Sequence, residues 1–287
     1  MIRSAISEII GGNNRELKLV LKNLWGQGQP RLDGSIQGVI ISLFYTMIEA
    51  IHLRQQFGRV TALNDLCFHI ERGEMIGLVG PSGAGKTTLL RVLSTYMAPT
   101  SGAVTIGGVD VVADSLRIRR MTGYLPEKDP IYPEMRVMEY LGFRARLRGL
   151  SGRTRSKRLR ELIGRCGLAG LERAMMGNLS KGEVRRVLLA DCLAGEPEVI
   201  LLDEPTLGLD PVNGDRIRAS FSPLKGERTV VFSTHDMVEA EQLSTRIMVL
   251  NNGSIAAFAP ASELIRSRGV MTLAEAVKVV VQEGVAI

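Results

Sequence analysis

Cysteine and histidine are scarce in this chain, and the scarcity removes whole classes of function. Three cysteines, Cys67, Cys166 and Cys192, lie far apart with no C-x-x-C pair, and only three histidines accompany them. That spacing argues against a disulfide framework and against a zinc site, and a reducing cytosol fits best. A long apolar run is missing as well. The longest uncharged stretch, residues 34–48 (GSIQGVIISLFYTMI), has 15 residues, several of them polar. A spanning helix needs about 17–25 mostly apolar residues. The stretch starts more than thirty residues in and no small-residue cleavage site follows it, so it does not read as a clean signal peptide. The sequence predicts a soluble chain, with membrane association left open. Internal repeats and low-complexity tracts are absent too.

What is present is globular. Apolar residues make up 45% and charged residues 23% of 287 positions, enough to bury a full core as one large or two modest domains. Basic residues outnumber acidic ones by 36 to 30, a net charge of +6. This points to an anionic partner, whether nucleic acid, lipid headgroups or phosphate ligands. The sign alone does not choose among them.

Residues 1–46 differ from the rest, with GG-NN, a G-Q-G-Q-P loop and one apolar run. Either they form an extension of unsettled order or the functional chain starts at Met47, and the second is favoured. From Met47, MIEAIHLRQQF alternates as a strand does, and a second strand is predicted around 65–70. The run MIGLVG (75–80) suits a buried parallel strand, and similar runs recur at 199–203, 229–233 and 246–250. Helical stretches fall between them, for instance KTTLLRVLSTY (86–96) and VRRVLLADCL (184–193). Such alternation predicts an α/β fold with a mostly parallel core sheet. Residues 137–175 are charged, leucine-bearing and free of strand-like runs, which predicts a helical insertion. LAEAVKVVVQEG near the end reads as a C-terminal helix.

Three segments carry chemistry. Gly80, Pro81, Ser82, Gly83, Ala84, Gly85, Lys86 and Thr87 fit G-x-x-x-x-G-K-[ST] between a strand and a helix. The glycines let the backbone curl so that successive N–H groups face phosphates, and the following helix adds the positive end of its dipole. Lys86 is placed to reach β- and γ-phosphates and the Thr87 hydroxyl to ligate Mg²⁺; the alternative is a glycine-rich turn that binds nothing. In VILLDE, two acids end an apolar strand, at the edge where ligands bind in open α/β sheets. Asp203 is placed to hold Mg²⁺ and Glu204 to orient and deprotonate a water, although two solvated acids would read the same in isolation. Ser180, Lys181, Gly182 and Glu183 form a capping box, a hydroxyl at the N-cap and a carboxylate three residues on.

The P-loop, then LSKGE, then ILLDEPTLGLDP, then STHD, in that order, resemble the nucleotide-binding subunit of ATP-binding cassette (ABC) transporters over residues 47–260. The resemblance implies a P-loop NTPase cassette with an N-terminal antiparallel β subdomain and a helical subdomain at about 130–185, followed by a helical tail at 261–287. It implies ATP and Mg²⁺ as cofactors, with Gly80 to Thr87 and the adjoining Thr88 around the phosphates and Phe57 stacked on adenine. His235 would contact the γ-phosphate, and Asp210 would communicate between two subunits. Ser180, Lys181, Gly182 and Glu183 would face ATP held by the partner subunit. Glutamate at Glu127 stands where glutamine is usual in the family. It keeps an oxygen for the metal while adding charge and losing the amide donors. Lys181 stands where glycine is usual, and a cation at a helix N-terminus is mildly unfavourable.

The implied partners are a transmembrane permease and a second ATP-binding subunit, identical or not, at the cytoplasmic face of the membrane. The GYLPE and LSKGE text looks most like exporter-type cassettes; cargo is not written in it. From Arg144 to Arg165, nine residues are Lys or Arg and only Glu161 is acidic. This suits contact with anionic headgroups, and a plain solvated helix face accounts for it equally. A soluble cassette ATPase acting on nucleic acid or ribosomes is the alternative. Such proteins usually carry two cassettes or a long coiled-coil insertion, and this chain has neither. A non-catalytic cassette is disfavoured because Lys86, Asp203, Glu204 and His235 are all present.

Overall fold

The short apolar runs without alternation become strands buried on both faces. In the computed structural model, which describes residues 46–283, β3 (Met75–Val79), β7 (Val199–Leu202) and β8 (Thr229–Ser233) are buried along their whole length. With β6 (Thr122–Leu125), β9 (Arg246–Asn251) and β10 (Ser254–Ala259) they form a six-stranded sheet in the order β10-β9-β3-β8-β7-β6. Every pairing from β9 to β6 is parallel, and only the edge strand β10 runs antiparallel. The α/β fold with a mostly parallel core is therefore as predicted.

A second, antiparallel sheet precedes and flanks it in sequence: β1 (Thr46–Phe57), β2 (Val60–Glu71), β4 (Ser101–Ile106) and β5 (Val109–Asp110), ordered β2-β1-β4-β5. The second strand starts five residues before the predicted 65, because the hairpin continues pairing to Phe57↔Val60 across its Gly58 turn. Apart from Thr46, the expectation for residues 1–46 lies outside the described residues, as does most of the uncharged stretch 34–48.

Nine helices are described: α1 (Lys86–Leu93), α2 (Ser115–Met121), α3 (Val137–Leu147), α4 (Gly152–Arg165), α5 (Lys181–Ala194), α6 (Pro211–Phe221), α7 (Met237–Leu243), α8 (Ala261–Arg268) and α9 (Leu273–Glu283). α1 stops short of the predicted residue 96, because Thr95 takes a left-handed φ of 57°. α5 starts three residues earlier than the apolar pattern suggested, since the Ser180–Glu183 capping box pulls the first turn into the helix.

The period-two alternation of the core strands divides the interior. Ile200, Leu202, Val230 and Phe232 face a cluster built with α3, α4, α5 and α6. Val199, Leu201 and Val231 face a cluster built with α1 and the antiparallel sheet. The predicted C-terminal helix packs Leu273, Ala276, Val277 and Val280 of α9 onto β9 and α7.

A buried carboxylate ties α3 to α5. Asp191 of α5, 4% exposed, accepts from Arg144 Nε at 2.9 Å and lies 3.5 Å from Arg148 Nε. Arg144 and Arg148 keep partial solvent access, so removing Asp191 costs its charge-assisted hydrogen bonds rather than stranding a buried charge. Asp191→Ala is expected to lose about 2 kcal/mol of stability in urea unfolding; a loss under about 0.5 kcal/mol would mean the pair is effectively solvated.

Candidate nucleotide and metal site

Four adjacent parallel strands deliver their carboxyl ends to one edge of the core sheet. β3 runs into the glycine loop at Gly80, β6 into Pro126-Glu127, β7 into Asp203-Glu204 and β8 into Thr234-His235. This is where open α/β sheets bind ligands.

The loop glycines are needed where backbone crowds backbone. A Cβ on Gly80 would lie 2.1 Å from the Leu250 carbonyl oxygen, and one on Gly85 would lie 2.6 Å from that of Ala62. Gly85 caps α1 at a φ of 105°. Inside the loop, buried Lys86 donates to the carbonyls of Gly80 (2.7 Å) and Pro81 (3.2 Å). Burial lowers its pKa, opposed by the charges of Glu204, Asp203 and Glu127. Pro81, Ser82 and Gly83 are exposed, Ala84 is buried, and Thr87 and Thr88 are half-buried at the start of α1. Phe57 ends β1 with its ring half-exposed.

Asp203, fully buried, meets the loop directly. Its Oδ1 accepts from the Thr87 hydroxyl at 3.2 Å and from Ser233 Oγ at 2.7 Å. Ser233 Oγ in turn accepts from the Glu204 N–H at 2.8 Å. Glu204 has a φ of 47°, a left-handed conformation that is costly for a residue with a side chain. Burial pushes its carboxyl up to about 7, with Lys86 pulling the other way and Asp203 and Glu239 reinforcing the rise. Glu204 Oε1 lies 3.2 Å from His235 Nε2, close but not aligned for a hydrogen bond. His235 Nε2 is also 3.5 Å from Lys86 Nζ. Burial, then the Lys86 charge, lowers the His235 pKa, so the ring is neutral at pH 7. Lys86, Thr87, Asp203, Glu204 and His235 thus form one cluster. Glu127 is exposed at the end of β6 and contributes charge to the cluster rather than a hydrogen bond.

Asp203 Oδ2 and Glu204 Oε1 are both buried without a hydrogen-bond partner. With the Thr87 hydroxyl they present the hard oxygen donors that Mg²⁺ takes. No cluster of three metal-binding His, Cys, Asp or Glu side chains occurs among the described residues. A Mg²⁺ here would therefore fill its shell with water and phosphate oxygens, as Mg²⁺ at nucleotide sites does.

The capping-box segment forms a second group. Ser180 Oγ accepts from the Glu183 N–H at 3.3 Å, and Glu183 Oε2 accepts from the Ser180 N–H and hydroxyl, each at 2.8 Å. These bonds hold the Glu183 carboxyl below its ordinary range. A Cβ on Gly182 would strike the Asn213 side chain at 2.6 Å, and one on Gly208 would strike Lys181 Nζ at 2.5 Å. Asp210 caps α6, accepting from the Asn213 N–H at 3.0 Å and from Asn213 Nδ2 at 2.6 Å. Asn213 thereby joins Gly182 to Asp210. No hydrogen bond connects this group to the Lys86 cluster among the described residues.

Sequence reasoning missed Ser233, Asn213, Arg185 and Glu239. Buried Glu239 accepts from Thr206 Oγ1 and Thr234 Oγ1 at 3.1 and 2.6 Å. None of the four carries a local signal: Arg185 is one of two adjacent buried arginines on a helix that buries all but Lys181 and Glu183.

Residues 63–207 match the family model described as ABC transporter. The chain is 37% identical over 225 residues to the "Daunorubicin resistance ATP-binding protein DrrA3" of Streptomyces coeruleorubidus, covering 78% of this chain and 71% of the relative. It is 33% identical over 225 residues to the "Fe(3+) ions import ATP-binding protein FbpC" of Mannheimia succiniciproducens, covering 78% of this chain. The chain spans 64% of the iron-import protein's own length. Among solved structures, the dimeric bacterial ABC transporter cassette MJ0796 superposes with a TM-score of 0.69 at 29% identity, covering 75% of this chain and 98% of that one.

The buried carboxyl has a consequence for stability. Its ordinary value of 4.5 rises to about 7 on folding, so folding takes up a proton between these values. The Glu204 contribution is fully present below pH 4.5 and is lost as pH rises through about 7. Metal-free and nucleotide-free Glu204→Gln is therefore expected to melt higher than wild type at pH 8, by on the order of 5 °C, with the gap narrowing toward pH 5. A pH-independent gap would contradict the raised carboxyl.

Proposed function

The chain belongs to the ABC transporter family, and on that premise we propose that it is the ATP-hydrolysing subunit of a membrane transporter. The reading rests on one observation above the others: two buried, under-bonded carboxylates face the phosphate-loop lysine at the carboxyl edge of the sheet. The cassette is assigned to 47–260, with 130–185 as its helical subdomain and 261–287 as its tail.

In this reading Gly80 to Thr88 wrap the phosphates of ATP with backbone N–H groups, and Phe57 stacks on the adenine. Lys86 exchanges its carbonyl partners for β- and γ-phosphate oxygens. Thr87 and Asp203 would hold Mg²⁺, and Glu127 would add its negative charge nearby. The metal, when bound, would draw charge off the phosphoryl oxygens. Glu204 orients the attacking water and accepts its proton, while His235 contacts the γ-phosphate and holds the water in line. The Ser180–Glu183 helix start and Asp210 serve the nucleotide of a second subunit, and the separation of the two groups within one chain supports that division. The dimeric relative supports it too. Identical and non-identical pairings are both compatible with the sequence.

ATP-driven closure and reopening of the pair would move a separate transmembrane permease at the cytoplasmic face of the membrane. No helix among the described residues is long and apolar enough to cross a membrane, which is consistent with a separate membrane subunit. Export is the favoured direction, on the GYLPE and LSKGE text and the drug-resistance relative; the iron-import relative marks import as the competing outcome. Glu204→Gln is expected to bind ATP as wild type does and to turn over at least 100-fold more slowly, roughly the range for losing a general base. Wild-type turnover would remove Glu204 from the mechanism.

The lipid-facing role of the basic segment narrows on inspection. Arg144 and Arg148 pair with Asp191, Arg158 donates to the Leu193 carbonyl, and Arg165 donates to that of Ser220. Arg153, Lys157 and Arg160 remain exposed and lie on one face of α4. These three are proposed to lie near anionic headgroups, at about 1 kcal/mol each. Reversing their charge is expected to weaken sedimentation with phosphatidylserine vesicles; unchanged sedimentation would leave only a solvated face.

A further inference from the structure

The guanidinium of Arg185 is 3% exposed, yet it is not part of the phosphate loop, the acidic pair or the helix cap. It spreads over six acceptors on two separate segments. Nη2 donates to the carbonyls of Asp203 (2.6 Å) and Glu204 (2.9 Å), and Nε donates to that of Pro205 (3.2 Å). Nη1 donates to the carbonyls of Pro126 and Glu127 and to Asp129 Oδ1, the last at 2.9 Å. Three consecutive carbonyls after β7 and two after β6 are thus held by one planar fork.

The middle carbonyl of the first three belongs to Glu204, whose φ of 47° is strained. A strained backbone persists only where its surroundings over-determine it. On the N–H side of Glu204 the Ser233 hydroxyl supplies that constraint. On the carbonyl side Arg185 supplies it, together with both neighbours. The fork geometry matters, because an ammonium is a point charge that cannot serve acceptors spread in a plane.

Arg185 also lies on the helix that starts at Ser180. We propose that Arg185 is a positioning residue for hydrolysis. It holds Glu204 in its working conformation and ties that conformation to helix α5, whose N-terminus faces the partner's nucleotide under the function proposed above. Movement of α5 as two subunits close is transmitted through the guanidinium to the Asp203–Pro205 and Pro126–Glu127 turns of the same chain. The inference rests on that proposed function, and the two can fail separately.

The test compares wild type, Arg185→Gln and Arg185→Lys in steady-state ATPase assays, alongside the dissociation constant of a fluorescent ATP analogue and the melting temperature. Lys86 and the glycine loop make no hydrogen bond to Arg185, so nucleotide affinity is expected to stay within twofold of wild type in both variants. Turnover is expected to fall at least tenfold in both, since neither side chain reproduces the fork. Arg185→Lys keeps the buried positive charge beside Asp129 and serves as the informative variant if Arg185→Gln does not fold. A folded Arg185→Lys with turnover within threefold of wild type would overturn the proposal. So would parallel loss of nucleotide affinity and turnover, which marks a structural role alone. Wild type that binds but never hydrolyses ATP would instead overturn the proposed function.

Discussion

Two carboxylates held against one ammonium, out of water, are the constraint around which the rest of this molecule is arranged. Asp203 and Glu204 end a strand whose neighbours on both sides are buried and parallel. Placing two anions there is unfavourable unless cations and donors meet them. Lys86, Thr87 and Ser233 do so in part, and the deficit shows as two orphaned oxygens and a carboxyl pushed up to about 7. Acids so under-compensated would gain from a bound cation.

The sheet order explains why these groups meet at all. β3 lies between β9 and β8, and β7 between β8 and β6. The phosphate loop, the His235 turn, the acidic pair and the Glu127 turn therefore emerge side by side along one edge. The capping-box helix is joined to that edge through Arg185, whose guanidinium donates to the Asp203 and Glu204 carbonyls. Ser180 starts that helix, and Gly182 and Asp210 meet there across Asn213, a group that the proposed function gives to the nucleotide of a second subunit.

Much of this was legible in the sequence because the motifs coincide with strand ends, where a buried apolar run must give way to polar residues. The α/β architecture and the parallel core sheet follow from that rule. Other features depend on tertiary placement and leave little local trace. Ser233 and Asn213 are ordinary polar residues whose partners lie up to 31 positions away, as Asn213 does from Gly182. The helix end at Leu93 follows from a left-handed Thr95 that no propensity marks. Counting charges between Arg144 and Arg165 gave a basic face; only packing shows that several of those arginines are engaged within the chain. Lys181 is anomalous at a helix start, and the structure lays its ammonium beside Gly208, which has a left-handed φ of 68°.

Under the proposed function the under-bonded acids and the phosphate-loop lysine take Mg²⁺ and ATP. A crystal structure of Glu204→Gln grown with ATP and Mg²⁺ tests it most directly. Lys86 Nζ is expected to leave the Gly80 and Pro81 carbonyls for phosphate oxygens, with Thr87 and Asp203 as the residues that would hold the metal. Nucleotide bound away from the glycine loop, or Lys86 still on those carbonyls with ATP present, would contradict it.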